Sequence, residues 1–198
     1  GFFLKHFQKA NTKFLEFFFD SFDASGLNAE ERNFLLLEIR KRTDPLYRKE
    51  LRLAGIRGLV KIGTSSDIPL IISLMGNDED YEVRGEAALA LGRIGDQSIV
   101  GELEKAVKDE DDFVRGCALY SLGRILKDKK VKVDAGLIQY YFDNDASVRV
   151  KIFAASILIE LGEDKEGKYI GFLRKVIEKE SDVKIKKMAE VFLKRAGG

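Results

Sequence analysis

Apolar residues recur every three or four positions through most of this chain, the spacing that lines one face of an α-helix. Val83, Ala87, Leu91 and Ile94 form one such face and leave Gly85, Leu89, Gly92 and Arg93 on the other side. Long alternation of apolar and polar residues is missing, so little argues for strands. The pattern also repeats. Asp80, Val83, Arg84, Leu91 and Gly92 return 31 positions later as Asp111, Val114, Arg115, Leu122 and Gly123. Leu51-Arg52, Leu59 and Ile62-Gly63 anticipate Val83-Arg84, Leu91 and Ile94-Gly95 at an offset of 32. A looser copy runs from Val150 to Gly162, and a worn one from Ile185 to Gly197. A fixed period of this size predicts an array of helical hairpins. Each phrase is a second helix, and the first helices fall at about 67–75, 97–108, 133–142 and 166–179.

Local signals place further boundaries. Asn28 with Glu31 three residues on predicts a capping box, opening a helix over 29–41 that buries Phe34, Leu35, Leu37 and Ile39. Thr43-Asp44-Pro45 reads as the next start, with Asp44 as N-cap and Pro45 at the first helical position. Gly63, Gly95 and Gly162 are expected to close their helices in the left-handed conformation. Gly55, Gly58, Gly85, Gly92, Gly116 and Gly123 lie inside second helices, where each costs about 1 kcal/mol against Ala. That cost predicts close approach to a neighbouring helix.

Residues 2–23 hold eight of the 14 phenylalanines, and Phe3, Phe7, Phe14, Phe18 and Phe22 share one helical face. The expected role is a helix, within residues 1–27, that caps the open end of the array. A homodimer interface and a membrane-surface helix are the alternatives. Lys5, Lys9 and Lys13 alternate with Glu16 and Asp20 on its polar face, which argues against the membrane. The segment lacks a small-residue cleavage site and does not read as a signal peptide.

Composition narrows the chemistry. The net charge of +1 supplies no global field for nucleic acid. Locally, residues 76–112 carry 12 acids against 4 bases, and residues 165–198 carry 10 bases against 5 acids. The runs Asn77–Asp80 and Asp109–Asp112 are read as solvated turns, because neither has the geometry of a calcium loop. His6 is the only histidine and Cys117 the only cysteine. That leaves no zinc or iron donor set, no Cys–His nucleophile and no disulfide within the chain. No glycine-rich phosphate loop occurs either. No catalytic residue, metal or cofactor is therefore expected, and Cys117 fits a reducing, cytoplasmic setting.

Asp80 through Asp96, with its companion from Asp111 to Ile125, resembles the short HEAT-like repeat of the type first associated with phycobilisome lyases. The likeness extends from Asp44 to the C-terminus. It implies an all-α, right-handed α-solenoid of about five antiparallel hairpins over residues 28–198, with second helices lining a concave face. It also implies that Asp80–Arg84 and Asp111–Arg115 form a ladder between repeats. With residues 1–198 taken as a single domain, two rows are expected on the concave face. One is Arg57, Leu89, Tyr120, Ser156 and Val191; the other is Lys61, Arg93, Arg124, Glu160 and Arg195.

The function expected is a non-catalytic scaffold that binds an acidic or mixed-charge protein segment through Arg57, Lys61, Leu89, Arg93, Tyr120 and Arg124. The alternatives are an accessory, chaperone-like subunit of an enzyme, and nucleic-acid binding through Lys61, Arg93 and Arg124. The balanced net charge argues against the last.

Overall fold

The computed structural model describes residues 13–14, 17–18, 23–94, 97–127 and 135–197. Most of the expected Phe-rich helix, His6 and Gly95 lie outside the described residues. Within that segment Phe14 and Phe18 are helical and stack at 6.1 Å between ring centroids, with Phe18 buried and Phe14 and Phe17 exposed. Among the described residues ten α-helices follow, and they pair into five hairpins. They are α1 (Ala29–Arg42) with α2 (Lys49–Ile62), α3 (Ile68–Asn77) with α4 (Tyr81–Ile94), and α5 (Val100–Ala106) with α6 (Asp112–Lys127). α7 (Ala135–Asn144) with α8 (Val148–Glu160) and α9 (Lys168–Lys179) with α10 (Val183–Arg195) complete the series. The fold class is the expected all-α solenoid type, and no strand occurs among the described residues.

The chain forms two compact units, residues 1–95 and 96–198. In the first, α2 packs on α4, and Leu35, Ile39, Ile56, Leu59, Ile71 and Leu91 fill the space between hairpins. In the second, α6 packs on α8 and α8 on α10, around Leu103, Val114, Cys117, Leu122, Ile138, Ile152 and Leu173. Each such side chain contributes about 1.5–3 kcal/mol by leaving water. Cys117 is fully buried, as its place in the repeat predicts.

Glycine allows the close helix contacts in the second unit. A Cβ on Gly116 would lie 2.3 Å from Cδ2 of Phe153, and one on Gly123 would lie 2.3 Å from Cγ2 of Ile157. Both neighbours belong to α8, so α6 and α8 meet where a side chain is missing. Gly171, on the exposed face of α9, has open space around its Cα instead. Gly171→Ala is therefore expected to stabilise the protein by about 0.5–1 kcal/mol, read as a small rise in Tm.

Several local expectations are corrected. Asn28 and Glu31 do form the capping box. The buried side of α1, however, is Leu35, Leu36 and Ile39, while Leu37 is 52% exposed. At about 100° per residue, Leu35, Leu36 and Ile39 share one arc, and Leu37 turns away from it. Thr43-Asp44-Pro45 does not start a helix. Thr43 caps the end of α1, and Oδ1 of Asp44 accepts from the Leu46 N–H at 2.9 Å, so its capping chemistry is spent on a turn. α2 begins only at Lys49. Gly162 has the expected positive φ of 77°, but Gly63 is extended at φ −63°. Gly63 is needed for room, since a Cβ there would meet the Leu59 carbonyl oxygen at 2.3 Å.

Candidate interaction surface

The repeated Asp and Arg residues must be placed first, because what they do decides which charges remain for a partner. Asp80 and Asp111 do not pair with the arginines four residues later. Their Oδ1 atoms accept the N–H groups of Glu82 at 2.9 Å and Phe113 at 2.8 Å, near the starts of α4 and α6. Arg84 and Arg115 reach back to turn carbonyls. Arg84 donates to Asp78 and Glu79 at 3.0 and 3.3 Å, and Arg115 to Asp109 and Glu110, both at 3.0 Å.

The link between repeats uses a different acid, two residues before the capping residue. Arg115 forks onto Asp145 of the next hairpin, with Nε and Nη2 at 2.9 and 3.1 Å from the two carboxylate oxygens. In the first unit Arg52 reaches Asp78 at 2.8 Å, and Arg40 forks onto Asp67 at 2.6 and 3.1 Å. Asp78 and Asp145 each also accept the N–H two residues on, so one carboxylate holds its own turn and the previous repeat. Asp78 is buried, which corrects the reading of the Asn77–Asp80 run as solvated.

Burial alone pushes the carboxyl of Asp145 up. The Arg115 hydrogen bond, the Ser147 N–H and the nearby positive charge outweigh it and hold the group below the usual carboxylate range. Asp67 is held low in the same way, by Arg40 and Thr64 against burial. The hydrogen bond to Asp145 correspondingly raises the Arg115 guanidinium.

What remains are the second-helix residues that this bracing does not use. In the first unit Arg57 of α2 lies 3.9 Å from Glu86 of α4, Leu89 is half-buried, and Lys61 and Arg93 are exposed in the last turns of α2 and α4. Cations in last turns also complement the helix dipole. In the second unit Tyr120 is half-buried and does not stand alone. Its ring meets Phe153 of α8 at 6.1 Å and Phe192 of α10 at 6.0 Å, and these two meet at 5.6 Å. Ser156 is not part of an exposed row. It is 4% exposed, and its hydroxyl bonds the Phe153 carbonyl at 2.7 Å. Val191 and Arg124 are exposed, and Glu160 is tied to Lys127 at 3.2 Å.

Sequence spacing missed this ring cluster, because Phe153 and Phe192 belong to neither of the two rows that the register carries across the repeats. Its signal was there in large aromatics at the positions that the two clearest repeats fill with Glu86 and Cys117, and with Ala90 and Ser121. Among the described residues no three His, Cys, Asp or Glu side chains converge to hold a metal, and no helix is long and apolar enough to cross a membrane.

Within each unit an arginine of one second helix braces the acid before the next, Arg52 on Asp78 and Arg115 on Asp145. The sequence profile of HEAT repeats matches residues 35–123 and again 68–156. The chain belongs to the HEAT-repeat family. Two curated proteins share part of it. An uncharacterised protein from the gldA 3′ region of Geobacillus stearothermophilus is 42% identical over 65 residues, covering 33% of this chain and 30% of that protein. The epoxyqueuosine reductase of Bacillus subtilis (strain 168) is 37% identical over 65 residues, covering 33% of this chain and 17% of the enzyme. The match thus spans under a third of either relative. HEAT repeats are in general protein-interaction scaffolds.

Proposed function

We propose that this chain is a non-catalytic interaction scaffold that binds an acidic or mixed-charge segment of a partner protein. Its contacts are Arg57, Lys61, Leu89 and Arg93 in the first unit and Tyr120 and Arg124 in the second. The observation that carries this reading is how the arginines of α4 and α6 divide. Arg84 and Arg115 are spent on turns, whereas Arg93 and Arg124 are exposed and make no ion pair with any described residue. A guanidinium left in this state offers a planar fork to a carboxylate.

A second reading has one observation in its favour. Because a 65-residue stretch resembles part of an enzyme, the epoxyqueuosine reductase, the scaffold would serve as the accessory module of an enzyme rather than as a free adaptor. Both readings require a partner protein.

The test is the double substitution Arg93→Glu with Arg124→Glu, used as bait beside the wild type. The expected outcome is that proteins retained by the wild type are lost from the variant while Tm stays unchanged. A fall in Tm would mean that these arginines are structural, and equal retention would remove them from the interface. Nucleic acid is tested at low salt, where contact with phosphate is strongest. Tight binding there would displace the protein-scaffold reading.

A further inference from the structure

The Tyr120–Phe153–Phe192 cluster draws together side chains from three successive second helices. One more residue joins it. The guanidinium of Arg195, at the end of α10, lies 5.6 Å from the Phe192 ring centroid, and its Nη1 donates to the Tyr120 hydroxyl at 3.4 Å, 75 positions away in sequence. Both supports are neutral. Arg195 is exposed and pairs with no carboxylate among the described residues, and the same holds for Arg124, one turn beyond Tyr120 on α6. Glu160, which occupies the same place on α8, is held by Lys127.

We infer that Tyr120, Phe192 and Arg195, together with Arg124, form an anchoring site for an acidic side chain that has an aromatic or aliphatic neighbour. The inference rests on the reading of the chain as a scaffold for an acidic partner, and it names where and how that partner is gripped. An arginine free in solvent loses rotamer entropy when it binds. Arg195 has already been restrained by its stack on Phe192 and its bond to Tyr120, so less is lost when a carboxylate arrives. The half-buried Tyr120 ring supplies an apolar floor for the neighbouring side chain, backed by the buried Phe153 and Phe192. One N–H of the guanidinium is used by Tyr120, and the others remain for the ligand.

The same geometry disfavours a nucleic-acid backbone. Phosphates running along the last turns from Arg124 to Arg195 would meet the carboxylate of Glu160, which is about one-third exposed. Glu190 adds a second exposed negative charge on α10. A peptide with spaced acids avoids both.

The probe is a fluorescein-labelled peptide of eight residues alternating Glu and Phe, followed by fluorescence anisotropy at low ionic strength. Its Gln-Phe counterpart, octa-glutamate and a single-stranded oligouridylate serve as comparisons. The Glu-Phe peptide is expected to bind most tightly of the four. Arg195→Ala and Tyr120→Ala are each expected to weaken it about tenfold, the scale of a central anchor. Arg195→Lys, which keeps the charge and loses the planar guanidinium, is expected to recover only part of that loss. Lys175→Ala, an exposed cation on α9, is expected to leave binding as it is. Arg195 is exposed, so its variants should melt like the wild type.

If Lys175→Ala weakens the peptide as much as Arg195→Ala does, the attraction is diffuse. The anchoring site is then wrong while the acidic-partner reading stands. If no acidic peptide binds even at low salt, both fall. Tighter binding of the oligouridylate that depends on Arg195 would overturn the site in favour of nucleic acid.

Discussion

Arg115→Met is expected to lower the stability of the protein by about 3 kcal/mol at neutral pH, because it strips the partner from a buried carboxylate. The pair is not a surface bridge, which would be worth under about 1 kcal/mol. The side chains of Arg115 and Asp145 are only 18% and 6% exposed, and Arg115 also satisfies two turn carbonyls. Asp145→Asn should cost less. It leaves Arg115 on those carbonyls, and its amide oxygen can still accept the Ser147 N–H that Asp145 holds at 2.8 Å.

The pH dependence follows from the direction in which Asp145 is shifted. Its carboxyl is held below its unfolded value, so the stability it contributes is complete above the ordinary carboxylate range and is lost as pH falls through the folded value. The gap between wild type and Arg115→Met should therefore be largest at neutral pH and narrow in strong acid. Urea denaturation at both ends of that range checks this. A gap that stays constant with pH would mean that Asp145 is not the acid Arg115 serves.

The second large effect lies at the glycines of α6. Gly116→Ala and Gly123→Ala each gain about 1 kcal/mol in helix propensity, yet each is expected to destabilise by about 2 kcal/mol overall. The reason is that their neighbours cannot give way. The Phe153 ring is wedged between Tyr120 and Phe192. Ile157 presents Cγ2, Cγ1 and Cβ within 3.1 Å of the new methyl group, close to its own backbone. The loss corresponds to a Tm lower by about 5 °C, with the opposite sign to Gly171→Ala. If all three substitutions moved Tm upward, α6 and α8 would have to lie farther apart than described.

Much of this organisation was legible beforehand, for identifiable reasons. The 31-residue offset between Asp80 and Asp111, the capping box at Asn28 and the glycines facing α8 are local patterns, and sequence spacing carries them directly. The acid that Arg115 binds lies 30 positions away in another hairpin. Helical spacing favours the nearer Asp111, and only the packed turn shows that its carboxylate is already spent on the Phe113 N–H. Asp44-Pro45 misled because an Asx turn and a helix N-cap use the same atoms. Of the candidate surface, Lys61, Arg93 and Arg124 are exposed as their register implied. Ser156 turned inward because its hydroxyl found a carbonyl one turn back, and Arg195 gained its setting only through rings two hairpins apart.

Arg52 with Asp78 and Arg115 with Asp145 hold neighbouring repeats together, which leaves the last turns of the second helices for the proposed partner. Amide hydrogen exchange tests it most directly, followed on the chain alone and bound to the partner it captures. Slowed exchange is expected in the last turns of α4, α6 and α10. Slowing confined to the first helices α3, α5, α7 and α9, or to the turns around Asp78 and Asp145, would contradict it.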